Sequence, residues 1–191
     1  MKPIMFSRYF PSYHPRKGQE TFFMEKIWKG LDTGNRRDGE YSVWTNIPRQ
    51  MKDGHWQLPH LWRDQMLDKK FYPKYHTIRA GNRWKAGDVF SPRIWSGLPY
   101  RSKQIEFAPP ITIKQVIDVH IEIEAPNYTY ILVPQKKDTY IMLPANDVAR
   151  NDGLSYDDFQ DWFKPYNEFK GQIIIWGDVD YSGNIVKTVE A

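Results

Sequence analysis

Ile117-Asp118-Val119-His120-Ile121-Glu122-Ile123-Glu124 alternates apolar and polar residues with a strict period of two. An extended backbone throws successive side chains to opposite faces, so the stretch predicts a strand with one dry face and one wet face. Runs rich in β-branched and aromatic residues continue the pattern on both sides. Strands are predicted over residues 75–79, 88–95, 104–107, 111–124, 128–134, 137–143 and 172–176, with a short first strand over 4–10 that Pro11 ends.

Helical periodicity occurs in three places. Phe23, Met24, Ile27, Trp28 and Leu31 recur at spacings of three and four, which predicts an amphipathic helix over 19–31 that stops near Gly30. Leu61, Trp62, Gln65, Met66 and Lys69 suggest a second helix over 59–70, with Pro59 in its first turn. Ser155-Tyr156-Asp157-Asp158 has capping-box spacing before Phe159, Trp162 and Phe163, and Pro165 ends that helix. Strands that are not regularly alternated with helices argue against a doubly wound sheet. They favour an α+β fold built on a small β-barrel.

Length and composition set the outer limits. A chain of 191 residues with 16% aromatic content, including eight Trp and twelve Tyr, buries a substantial core as one domain spanning 1–191. Residues 32–72, punctuated by Gly34, Gly39, Pro48, Gly54 and Pro59, are read as an insertion inside it. With no Cys there is neither a disulfide nor a thiolate metal site. The N-terminal apolar run is broken by Arg8 and Pro11, and no stretch has the length of a membrane span, so a cytoplasmic, membrane-free protein is expected.

The net charge of +4 is segregated along the chain. Lys74, Arg79, Arg83, Lys85, Arg93, Arg101 and Lys103 face only Asp88 within residues 74–103, whereas residues 147–161 hold five Asp against Arg150. Such an imbalance favours an anionic partner, RNA or a nucleotide, on one face. In that reading Arg79, Arg83, Lys85 and Arg93 neutralise phosphates while Tyr75, Trp84, Trp95 or Tyr100 stacks on a base. Trp84 and Trp95 are equally well read as core residues.

Three segments together resemble the ASCH family of PUA-like domains: a helix ending in Gly at Phe22 to Gly30, the strand Lys74-Tyr75-His76-Thr77-Ile78-Arg79, and Arg83-Trp84-Lys85-Ala86-Gly87-Asp88. Family members usually join the helix Gly directly to the Lys, and the residues that intervene here between Gly30 and Lys74 agree with the insertion. The resemblance implies a PUA-like barrel with a cleft beside the Lys-x-x-Thr-x-Arg strand, and RNA binding, RNA cleavage or hydrolysis of a modified nucleoside, acetylated cytidine. In the amidohydrolase branch the matching Lys and Thr act with a Glu. The aligned residue here is Asp152, one methylene shorter, so the resemblance implies Lys74, Thr77 and Asp152 as a catalytic set.

Elementary geometry places a condition on that set. On a continuous strand Lys74 and Thr77 point to opposite faces, so they meet only if the strand begins after Lys74 or is bulged there, as Pro73 permits. A desolvated Lys74 has a lowered pKa and can act as a base toward Thr77 or a water, whereas a nearby Asp152 carboxylate holds it as ammonium. Both effects remain open at this level. The five His show no metal-ligand spacing, no cofactor motif is present, and Glu122 and Glu124 fit a solvated strand face. A third reading gives the insertion a protein partner, docked through Trp44, Trp56 and Trp62.

Overall fold

A computed structural model describes residues 1–31, 36–39, 47–124, 128–136, 139–181 and 187–190. In chain order the elements are β1 (Lys2–Met5), α1 (Phe23–Gly30), β2 (Arg36–Gly39), β3 (Arg49–Gln50), β4 (Trp56–Pro59), α2 (Trp62–Leu67), β5 (His76–Ala80), β6 (Val89–Trp95), β7 (Gln104–Glu106), β8 (Ile111–Thr112), β9 (Gln115–Glu124), β10 (Tyr128–Pro134), β11 (Thr139–Leu143), α3 (Ala145–Asn151), α4 (Tyr156–Phe163), β12 (Glu168–Ile175) and β13 (Lys187–Glu190). The fold is mixed, mostly sheet with a few helices. No helix among the described residues is long and apolar enough to cross a membrane.

The alternating segment lies at the heart of the largest sheet, six antiparallel strands in the order β13-β11-β10-β9-β12-β5. Val119 and Ile121 of β9 are buried while Asp118 and Glu124 are exposed, as period two requires. Ile121 stands opposite Ile131 on one side and Phe169 on the other, so the dry face continues across three strands. The second sheet pairs β6 with β1 in parallel and with β7 and β8 antiparallel. Phe6, Phe90 and Trp176 form an edge-to-face aromatic cluster between the two sheets.

The strand predicted over 111–124 is two strands in two different sheets. Ile113 donates its N–H to Asp88 O, next to β6, and Lys114 donates to Ile175 O at the end of β12. The chain therefore changes sheets between adjacent residues, which periodicity in sequence does not reveal. β5 and β6 are consecutive but unpaired, and the path β13 to β5 has two free ends. Among the described residues the sheets are open, and the expected closed barrel is not found.

The 32–72 segment carries its own three-stranded sheet, with β2 parallel and β3 antiparallel to β4. Pro59 ends a strand here and is not in the first turn of a helix; α2 starts at Trp62. Trp56 and Leu58 alternate inward, and Trp56 packs on Trp28 of α1 at 5.8 Å between ring centroids. Trp56 and Trp62 are 2% and 1% exposed, so neither is a docking residue; Trp44 lies outside the described residues. Burying two indoles against α1 fastens this segment to the rest of the fold.

Candidate functional site

Lys74 and Tyr75 lie outside the ladder that begins at His76. Lys74 donates its N–H to Lys26 O in the middle of α1, and Tyr75 donates to Asn151 O at the end of α3. Tyr75 O accepts from both Trp176 and Gly177. Two glycines make this threading possible by close approach. A Cβ on Gly30 would lie 2.6 Å from Lys74 O, and one on Gly177 would overlap the Tyr75 ring. Because the strand starts after Lys74, the geometric condition stated from sequence is met: Lys74 and Thr77 line the same cavity, of about 280 Å³.

Asp152 enters that cavity from the C-terminus of α3. The helix closes with Gly153 N–H to Arg150 O and Leu154 N–H to Ala149 O, the paired bonds of a Schellman motif, with Gly153 at φ +77°. Asp152 is the C-cap residue, and both its carboxylate and its carbonyl accept from Lys74 Nζ, at 2.5 and 2.6 Å. Lys26 Nζ donates to Gly153 O at 2.6 Å. Two ammonium groups thus meet the carbonyl pole of α3, where a helix favours cations. The Lys74 ammonium also lies 4.2 Å from the centroid of the Phe23 ring.

Lys74 is only 1% exposed, and burial pushes its pKa down to about 8 despite the opposing pull of Asp152. Burial is the largest single influence on the Asp152 carboxyl and pushes its pKa up, but the Lys74 ammonium and the His76 ring together outweigh it and hold the group below the usual carboxylate range. The carboxylate therefore stays charged, and Lys74 is the member of the pair that titrates near neutrality. Arg79, on the same strand face as Thr77, donates to Met5 O at 2.6 Å, and its buried Nε–H has no partner. Burial lowers the Arg79 pKa to about 10, which leaves it charged.

Behind Asp152 lies a polar chain. Asn151 Nδ2 can only donate, and it donates to the Tyr181 hydroxyl at 3.1 Å. His76 Nδ1 faces Asp152 Oδ1 at 3.5 Å, an electrostatic contact longer than a good hydrogen bond, and a carboxylate there favours the tautomer with its hydrogen on Nδ1. In that tautomer Nε2 accepts from the Tyr181 hydroxyl, 2.9 Å away. Burial lowers the His76 pKa, in keeping with a neutral ring.

The residues expected to act together separate into two groups. Lys74, Thr77, Arg79 and Asp152 share the cavity with Phe23, Trp95, Tyr100 and Trp162. Tyr75 packs on Gly177, and Trp84 is buried against Phe90, so Trp84 is a core residue and cannot stack on a base. Arg93 is tied to Glu106 and Ser91. Arg83 and Lys85 are exposed and outside the cavity. His76, Tyr181 and Asn151 carry no motif; their association depends on residues 105 apart in sequence. Among the described residues no group of three or more His, Asp or Glu side chains could hold a metal ion. Comparison with models of protein families, with curated proteins and with solved structures gave no match.

Proposed function

We propose that the chain is an ASCH-type, PUA-like domain that hydrolyses the amide of a modified nucleoside, with acetylated cytidine as the first substrate to try. The observation that carries this reading is the convergence of Lys74, Thr77 and Asp152 on one aromatic-lined cavity. Its 280 Å³ suits a single nucleoside rather than a length of polynucleotide. Neutral Lys74 takes the Thr77 hydroxyl proton as the oxygen attacks the acyl carbonyl. The Arg79 guanidinium on the cavity wall stabilises the tetrahedral oxyanion. Collapse breaks the C–N bond, Lys74 returns the proton to the departing amine, and water then cleaves the Thr77 ester to release acetate. Asp152 holds the Lys74 amine in place throughout.

The test is turnover of acetylated cytidine to cytidine and acetate by purified protein. Lys74→Ala is expected to abolish it while the circular dichroism spectrum stays folded. No turnover by the wild-type protein defeats the reading. A second reading, binding of single-stranded RNA, is favoured by one observation: Arg83 and Lys85 are exposed, and neither side chain forms an ion pair among the described residues. It predicts salt-sensitive binding weakened by Arg83→Ala, and affinity indifferent to both would remove it.

A further inference from the structure

The β6–β7 hairpin places an aromatic residue where the backbone disfavours one. Ser96 N–H donates to Lys103 O, and at the tip Arg101 N–H donates to Leu98 O, closing a turn with Pro99 second and Tyr100 third. Ser102 Oγ accepts from Gly97 N–H and donates to Leu98 O, both at 2.9 Å, so the tip is braced. Tyr100 has φ +62°, one of two non-glycine residues with positive φ among those described. The third position of such a turn is ordinarily Gly or Asn, because a Cβ is strained there. Tyr100 is also 90% exposed, the largest exposure of any large apolar side chain described.

Strain and solvent exposure both count against tyrosine here, and one contact, with Trp95 at 5.4 Å and 51° between rings, does not explain it. The turn nevertheless sets Tyr100 on the wall of the cavity that also holds Lys74, Thr77 and Asp152. An observed backbone outlier at a functional cavity is a reason to look for function there. We propose that Tyr100 is a substrate-contacting residue that stacks on the planar ring of a pyrimidine nucleoside and so determines which ligands the cavity accepts. This rests on the cavity being a nucleoside site, but not on any bond being broken there. The braced turn fixes the direction in which the Tyr100 side chain leaves the backbone, so less chain freedom is lost on binding.

The experiment measures cytidine affinity by titration calorimetry and thermal stability by calorimetric scanning, for the wild-type protein and for Tyr100→Asn and Tyr100→Phe. Asn tolerates the left-handed backbone, so Tyr100→Asn should keep or raise Tm while weakening cytidine binding roughly 5- to 150-fold, the span of base–aromatic stacking. Tyr100→Phe keeps the ring face and should keep the affinity. If acetylated cytidine is turned over, Tyr100→Asn should raise KM and leave kcat nearly unchanged. Unchanged cytidine affinity in Tyr100→Asn overturns the proposal. So does a lowered Tm without an affinity change, which would mark a structural role. Cytidine binding that needs Tyr100, with no turnover of acetylated cytidine, supports Tyr100 and defeats the hydrolase reading. Absence of any cytidine binding to the wild-type protein defeats both.

Discussion

Replacing Asp152 by Asn separates the two opposing effects on Lys74. In the wild-type site burial lowers the Lys74 pKa to about 8, with Asp152 resisting. At pH ~7 about a tenth of the amine is then neutral and able to act as a base, so kcat/KM should rise with pH and level off above about 8. Asp152→Asn keeps the shape and an acceptor oxygen, and the backbone carbonyl at 2.6 Å still receives the ammonium. It deletes the negative charge, and loss of an adjacent opposite charge lowers an amine pKa by roughly 1–3 units. The rising limb should therefore move from about 8 to roughly 5–7, whatever happens to the height of the plateau. The assay is kcat/KM for acetylated cytidine across a pH series. Lys26, whose pKa burial also pushes down to about 8 and whose charge repels that of Lys74, supplies the control: Lys26→Gln should keep the limb and move it no lower than in the wild type. A limb that stays in place or moves upward in Asp152→Asn refutes the assignment of Lys74 as the titrating base, and a limb that disappears with Lys26 reassigns it.

Other perturbations test the supports of the site. Burial raises the Glu25 pKa to about 7, and its Oε2 has no partner, so the folded state holds a proton that the unfolded chain releases near 4.5. The Glu25 contribution to stability should thus be fully present below about pH 4.5 and be lost as pH rises through 7, by up to about 3 kcal/mol; Glu25→Gln should flatten that part of a Tm-against-pH series. Tyr181→Phe leaves Asn151 and His76 without their shared hydroxyl and should cost about 1–3 kcal/mol, measured by urea unfolding; a neutral result would mean that the chain does not order His76. Gly30→Ala drives a methyl group into Lys74 O, so it should lower activity as well as stability, and a variant with wild-type kcat/KM would show that the Lys74 backbone has room to move.

Where the sequence was decisive, one local pattern sufficed. The period-two run in β9 and the strand Tyr128–Pro134 depend on neighbours a few residues away, and Ser155 caps α4 through Asp158 N–H as its spacing implies. The misreadings concern long-range partners. The sheet change at Ile113 and Lys114 is decided by Asp88 and Ile175. Pro59 fits both a helix start and a strand end, and the strand is selected by the pairing of β4 with β2 and β3 and the packing of Trp56 on Trp28. The seven residues of α3 bury just Val148 and Ala149, too little for a periodic signal, although Pro144 before the helix and Gly153 after it were visible brackets. Likewise, Lys74, Thr77 and Asp152 were legible by resemblance, while the Tyr181–His76 support was not.

The basic stretch at residues 74–103 shows why charge counted along a chain is a poor map of charge on a surface. Lys74 lies inside against Asp152, Arg79 is withdrawn onto Met5 O, and Arg93 is matched by Glu106, which leaves Arg83, Lys85, Arg101 and Lys103 exposed. A polyanion would meet the exposed group, whose contribution is Coulombic and fades with salt. The buried pair behaves differently, because desolvation has converted Lys74 from a permanent cation into a group that titrates close to neutral pH. A cation needed merely to attract phosphate gains nothing from that burial, whereas a base needs it. The same withdrawal from water that weakens residues 74–79 as an RNA-binding surface is what brings the Lys74 pKa close to neutral pH, as the proposed base would require.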